Sequence, residues 1–318
     1  MHPFRSFAAL STLSAGFFRI KLGNSQGRLN HTRGIVHHND TVLHDMRSVS
    51  KSVVSACIGI AVSQGKIKNV DQPVFDFFED YAQYKNEGRE KLTIKHLLTM
   101  TSGLKWNEEV PYDNPENSEI QMIISGDGIG FVLSRELETE PGTTWKYNGG
   151  TTELLAEIVK RVSGKNIHEF AKEYLFKPIG IITSQWTVSP STNSPAAASG
   201  LRLTSIDMLK FGILYHHEGQ WGGEQIVPKE WVGESLKSHI NRPDGGGYGY
   251  QFWILNYTIN GEQLTIPAAV GNGDQRIYFD KKNNLLTVTT AGNYNKWDIE
   301  NNAGAILEKI YTSFNSTE

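Results

Sequence analysis

Residues 46–67 read MRSVSKSVVSACIGIAVSQGKI, and the fold turns on what Ser48 and Lys51 do there. The S-x-x-K spacing sets a hydroxyl and an amine one helical turn apart on the same face. The spacing alone is common: it recurs at Ser63–Lys66 (SQGK) and Ser102–Lys105 (SGLK). Surroundings separate the three. Ser63 ends its helix, and Gly65 takes Lys66 off the helical path. Ser102 sits with Gly103 in a helix-terminating loop. Only Ser48 opens a long helix, expected over 47–64. Its apolar residues Val53, Val54, Cys57, Ile58, Ile60, Ala61 and Val62 predict burial, and Gly65 is its stop. A serine hydroxyl is a weak nucleophile until a base takes its proton. A lysine is such a base where burial or neighbouring charge keeps it neutral. A helix N-terminus favours the developing alkoxide and leaves a free N–H for an oxyanion. The competing reading is a surface serine beside a solvated lysine, and the apolar helix weighs against it.

The whole chain of 318 residues is 38% apolar and 20% charged, with net charge −3. That balance fits a soluble globular protein with one large domain or two interleaved lobes. There is no basic block and no basic–aromatic patch, so no nucleic-acid partner is expected. The single cysteine, Cys57, excludes an internal disulfide framework and a multi-cysteine metal site; it reads as a small core residue. No apolar run is long enough for a membrane span. The N-terminal MHPFRSFAALSTLSAGFFRIK is expected to be a helix or a disordered leader rather than a signal peptide. Serine and threonine dilute its apolar middle, and no A-x-A-like site follows. The compartment is left open.

Helical patterns occupy the middle of the chain. LTIKHLLTM (92–100) is one. TTELLAEIVKRVSG (151–164) is another, with Leu154, Leu155, Ile158, Val159 and Val162 as its stripe and Gly164 as its stop. TSIDMLKFGILYHHEG (204–219) is a third, with Ser205 as its expected N-cap. After about 245 strands take over. Asn260-Gly261 between two β-prone runs signals a hairpin, and QRIYFDKKNNLLTVTTAG reads as a second one around KKNN. An amphipathic helix, DIENNAGAILEKIYTSF, closes the chain. Segregated helices and antiparallel strands argue for an α+β fold.

Further candidates gather around these elements. Tyr147, in the loop EPGTTWKYNGG just before a helix, could share base duty if its pKa were lowered; the alternative is a half-buried loop aromatic. Gly271 and Gly273 in AAVGNGDQRIYF would weaken a strand unless something approaches its backbone, a substrate at a sheet edge being one reason and a bulge another. GNSQG (23–27) matches a nucleophile elbow, but RLNHTRG after it is poor helix material and it lies too early in the chain for a set of βα units to have formed. Trp106, Trp145 and Trp186 read as core before pocket. His37-His38 and His216-His217 have no metal-binding partner at helical spacing, read as solvated, and predict no metal.

Together, HDMRSVSKSVVSACIGIAVSQGKI, LTIKHLLTMTSGLKWNE, PGTTWKYNGGTTELLAEIVKRVSGK, SGLRLTSIDMLKFG, YGYQFWI and VGNGDQRIYF resemble the serine β-lactamase and penicillin-binding-protein superfamily. The resemblance is strongest to the β-lactamase-related hydrolases, which include class C enzymes, family VIII esterases and 6-aminohexanoate-dimer hydrolases. It covers most of residues 40–318. It implies an α+β, β-lactamase/transpeptidase-like fold: an antiparallel sheet flanked by helices, plus an inserted helical lobe. The sheet lobe would be 1–75 with 205–318, and the helical lobe 76–204. The resemblance makes Ser48 the acylated nucleophile, Lys51 its base and Tyr147 the tyrosine of a Y-x-N element. Gly271-Asn272-Gly273 stands where relatives have K-T-G or H-x-G, and the Asp274 N–H would complete the oxyanion hole with that of Ser48. No cofactor is implied.

Three departures bear on the reading. The asparagine is at the second position, Asn148, so no substrate-binding role is carried onto it. The third triplet lacks the lysine or histidine that helps hold a substrate carboxylate, which lowers β-lactams and peptidoglycan in the ranking. Residues 1–40 match weakly, so the sheet edge they supply is expected to be altered or missing. The expected function is a metal-independent serine hydrolase of small esters or compact amides. The alternatives are a β-lactamase or D-amino-acid peptidase or amidase, and a non-catalytic penicillin-binding-like sensor module. Oligomeric state is left open.

Overall fold

Asn260 and Gly261 both take left-handed backbone, at φ 53° and 81°, which is the geometry a two-residue hairpin turn needs. They join strands β13 (Trp253–Ile259) and β14 (Glu262–Gly271) with Ile259 opposite Glu262. The computed structural model describes residues 7–14, 17–23, 29–34, 41–296 and 302–315. β14 pairs antiparallel with β15 (Gln275–Asp280), and β15 with β16 (Leu285–Ala291) across the KKNN turn. Two short strands, β11 (Ile240–Asn241) and β12 (Gly247–Tyr248), extend the sheet beyond β13.

The N-terminal expectation is corrected. Residues 7–14 and 17–23 are strands rather than a helix or a disordered leader. They form strands β1 (Phe7–Ser14) and β2 (Phe17–Gly23), followed by β3 (Leu29–Gly34). These strands add to β16 and give a nine-stranded sheet in the order β11-β12-β13-β14-β15-β16-β1-β2-β3. The sheet edge expected to be altered or missing is therefore present. Every pairing in it is antiparallel except that of β1 with β16, which is parallel. Alternating Phe, Leu and Ile among short polar residues suits a strand, and pairing with a neighbour outweighs weak local preference. GNSQG runs from the end of β2 into 24–28, which lie outside the described residues, as do His37-His38.

Helix α1 (Val49–Ser63) runs beneath β14 and is buried along Val49–Ala61. Such burial contributes about 1.5–3 kcal/mol for each Val or Ile, and it explains why the helix has no polar face. Gly65 follows in left-handed backbone. α5 (Gly149–Ser163) packs on α1 through Leu154, Leu155, Ile158 and Val159, and Gly164 caps it at φ 72°. α2 (Ile94–Leu98), α3 (Ser118–Ile124), α4 (Gly128–Leu133) and α6 (Ile167–Ala171) complete the helical layer around α5. Small strands β4 (His44–Asp45), β5 (Gln185–Trp186) and β8 (Leu201–Leu203) form a separate sheet beside the start of α1, while β6 (Val188–Ser189) pairs with β7 (Ser194–Pro195) and β9 (Gln220–Trp221) with β10 (Glu224–Gln225). α7 (Ser205–His216) lies across β15, β16 and β1. Its N-cap is Thr204, not Ser205: the Thr204 hydroxyl accepts from the Asp207 N–H. α8 (Lys229–Ser235) packs on α1, and α9 (Asn302–Asn315) places Ile306, Leu307, Ile310 and Tyr311 in a second core with Ile259, Leu264 and Ile266.

Gln251 fastens these layers together. Its side-chain amide donates to the Leu97 and Leu98 carbonyls, its side-chain oxygen accepts from Thr152, and its own carbonyl accepts from Ser52. One buried residue thus ties α1, α2 and α5 to the stretch before β13.

Candidate active site

Ser48 occupies the N-cap position of α1, yet its hydroxyl makes no capping bond. It faces Lys51 instead, whose Nζ lies 3.2 Å from Ser48 Oγ. Arg47 just before it is held in left-handed backbone at φ 48°. A non-glycine residue there costs about 1–3 kcal/mol, and the Asp45 carboxylate braces it through the Arg47 N–H and the guanidinium. The Ser48 N–H has no hydrogen-bond partner among the described residues. This leaves it available at a helix N-terminus, where the dipole favours negative charge.

Lys51 is 2% exposed. Its Nζ also donates to the Ala198 carbonyl at 2.8 Å and lies 4.9 Å from the centre of the Tyr147 ring. The Tyr147 phenol lies beside the Ser48 hydroxyl and interacts with it. The structure therefore gathers Ser48, Lys51 and Tyr147 at one point. The expected lowering of the Tyr147 pKa is corrected. Burial among Trp145, Trp253 and the helix start pushes the phenol well above its usual value, and the Glu108 charge adds to this; the Ser48 hydroxyl opposes them only in part. Tyr147 carries its proton at neutral pH.

The other two S-x-x-K pairs do not assemble. Ser63 and Lys66 are exposed, and Ser63 Oγ bonds back to the Ile60 carbonyl. Lys105 lies on the surface beside Glu136.

The strand glycines divide into two environments. A Cβ on Gly271 would stand 2.3 Å from the Met46 carbonyl oxygen and 3.3 Å from the Val49 nitrogen. The end of β14 is thus pressed against the turn that carries Ser48, a close approach only glycine allows. A Cβ on Gly273 would meet Tyr294 instead. Asn272 exchanges hydrogen bonds with Asn295, and the Asp274 carboxylate accepts from Asn293 and faces Arg276. Asn148, given no substrate role, is the N-cap of α5.

Three acidic residues that sequence reasoning passed over surround this point. Glu108 accepts from the Trp106 indole and from the Gly149 N–H. Glu119 is buried beside it; burial, then the Glu108 charge, raise its carboxyl well above the usual range. Glu153 is buried too, accepts from the Ala198 N–H at 3.0 Å, and is pushed up to about 7, mainly by burial. No sequence signal separates these glutamates from solvated helix and loop charges.

Trp106 and Trp186 are buried as expected, while Trp106 and Trp145 also line a cavity of about 280 Å³ together with Glu108, Lys146 and Tyr147. His216 is corrected from solvated to half-buried, its ring bonded to Asn284; His217 is exposed. Cys57 is wholly buried, which pushes its thiol up. Among the described residues no cluster of three potential metal ligands occurs, and no helix is long and apolar enough to cross a membrane.

The family model described as Beta-lactamase matches residues 22–309. The 6-aminohexanoate-dimer hydrolase of Paenarthrobacter ureafaciens is 24% identical over 272 residues, covering 77% of this chain and 65% of that protein. The lovastatin esterase of Penicillium rubens is 28% identical over 142 residues, 42% of this chain and 32% of that one. The chain thus spans less than two thirds of the length of these curated relatives. The solved octameric penicillin-binding protein homologue from Pyrococcus abyssi superimposes with a TM-score of 0.60 at 21% identity, covering 81% of this chain and 65% of that one, which is a likeness of fold.

Proposed function

The chain belongs to the beta-lactamase family, and on that premise we propose that it hydrolyses small esters through an acyl-enzyme on Ser48. One observation carries the reading: the Ser48 hydroxyl, uncommitted as a cap, lies 3.2 Å from the buried Lys51 Nζ and beside the Tyr147 phenol. Lys51, in its amine form, takes the Ser48 proton as Oγ attacks the ester carbonyl. The carbonyl electron pair moves to oxygen. The Ser48 N–H donates to that oxyanion. A second donor comes from the turn after β14. Asp274 is the residue the triplet implied; the contact of Gly271 with Met46 and Val49 favours the next N–H along the chain, that of Asn272. Collapse of the adduct expels the alkoxide, and Tyr147, which holds its proton, supplies it to the leaving oxygen and recovers one from Lys51. Water repeats the sequence on the acyl-enzyme.

Small esters are favoured over β-lactams because a cavity of about 280 Å³ lined by Trp106 and Trp145 suits a compact acyl or alcohol group. The triplet Gly271-Asn272-Gly273 also brings no cation for a carboxylate. That relatives include an esterase and an amide hydrolase supports acyl transfer at this level. The test is hydrolysis of p-nitrophenyl butyrate by the protein and by Ser48→Ala. Turnover that the alanine variant loses by at least a hundredfold is expected. Equal rates would remove Ser48 as the nucleophile, and a lasting acyl adduct without turnover would mark a sensor.

A further inference from the structure

We infer that Glu153 is a positioning residue for Lys51, acting through Ala198, an inference that rests on the acyl-transfer reading above. The geometry is a relay of three contacts. Glu153 Oε1 accepts the Ala198 N–H at 3.0 Å. The carbonyl of Ala198 accepts from Lys51 Nζ at 2.8 Å. Lys51 Nζ in turn reaches Ser48 Oγ at 3.2 Å. The Ala198 N–H and the Ala198 carbonyl lie in successive peptide planes that meet at its Cα. Glu153 holds the first plane by its N–H, and the Ser199 N–H on the Ala196 carbonyl holds the second, so together they set the direction in which the Ala198 carbonyl points.

Glu153 also faces the Ala197 N–H of the same turn. Ala198 is wholly buried, and its turn is closed by the Ser199 and Gly200 N–H groups on the Ala196 carbonyl. Three residues after Ala198, Leu201 is stitched to the start of α1, its N–H on Ser50 Oγ and its carbonyl on the Met46 N–H. Glu153 is 5% exposed and has no ion-pair partner within 4 Å among the described residues. A buried charge without a partner is costly. Lys51 is the cation whose field reaches it; Glu119 from α3, with Glu108 beside it, presents like charge. Glu157 and Lys160, one and two turns along α5, pair with each other.

Ionised Glu153 is the strong acceptor; protonated, it grips the Ala198 N–H weakly. Its carboxyl is pushed up to about 7, so the relay tightens as pH rises through neutrality. The experiment measures kcat and KM for p-nitrophenyl butyrate from pH 5 to 9 in Glu153→Gln, Glu153→Asp and Ser48→Ala, with circular dichroism for folding. Glu153→Gln is expected to lower kcat about tenfold, to hold KM within twofold, and to remove the acid limb near pH 7. Glu153→Asp keeps the charge and restores the limb with part of kcat, which also covers a Gln variant that fails to fold. A Gln variant with wild-type kcat, or one that loses kcat yet keeps the acid limb, overturns the inference. Loss in Ser48→Ala together with such a result would leave the acyl-transfer reading standing; equal rates in Ser48→Ala would overturn both.

Discussion

Gly271→Ala tests the placement of the site against the end of β14. The backbone there lies outside the left-handed region, so alanine is conformationally tolerated and the effect is steric alone. The new methyl would stand 2.3 Å from the Met46 carbonyl oxygen, where about 3.4 Å is ordinary contact. Strand and turn must separate by about 1 Å. The oxygen cannot swing away cheaply, because it accepts the Val49 N–H that begins α1, and Met46 is itself held by the Leu201 carbonyl. Overpacking of this kind costs about 1–3 kcal/mol of stability. A shift of about 1 Å between a nucleophile and its oxyanion donors costs on the order of a hundredfold in rate, or about 2.7 kcal/mol of barrier. The assay is kcat/KM for p-nitrophenyl butyrate on protein shown by circular dichroism and urea titration to be folded. Gly233→Ala is the control, in an exposed turn of α8 where a Cβ meets nothing within 4 Å. Its activity should be unchanged. A folded Gly271→Ala protein within twofold of wild-type kcat/KM would refute the placement of the oxyanion site at β14.

Two further outcomes concern stability. Gln251→Ala should lower unfolding free energy by about 2–4 kcal/mol, since the Leu97 carbonyl and Thr152 hydroxyl lose their buried partner; an unmoved urea midpoint would contradict the clasp. Glu153 has a folded-state pKa raised from 4.5 to about 7. The folded chain therefore holds this proton more tightly than the unfolded one. Stability from that proton is complete below about 4.5 and lost as pH rises to about 7. Above neutrality Glu153→Gln should accordingly gain up to about 3 kcal/mol over wild type relative to the difference at pH 4.5. The same difference at pH 4.5 and pH 8 in urea melts would show that Glu153 titrates normally.

The parts that were legible in sequence are those where local chemistry and tertiary demand agree. The apolar run of 53–62, Asn260-Gly261, and Gly164 each carry their own mechanism, and each stands where expected. Ser48 and Lys51 were separable from two identical spacings because only their helix is buried. The N-terminal strands were illegible because a diluted apolar stretch has no preference of its own; β16 supplies the partner, and that lies at the other end of the chain. Glu153 was illegible for a related reason. A glutamate near a helix start ordinarily faces water and the helix dipole, and nothing near 153 announces the Ala198 turn that covers it. The Tyr147 phenol is pushed up rather than down, since proximity to a helix N-terminus weighs less than removal from water.

The parallel pairing of β1 with β16 has a consequence for how the chain is made. Phe7 lies opposite Leu285, so β1 waits for β16 to be made. At about 5–20 residues per second that wait lasts tens of seconds. Until then β1 and β2 can pair only with each other and β3, leaving the outer edge of β1 open to any other strand nearby. Synthesis of β16, rather than of β1, is the moment at which this sheet can close.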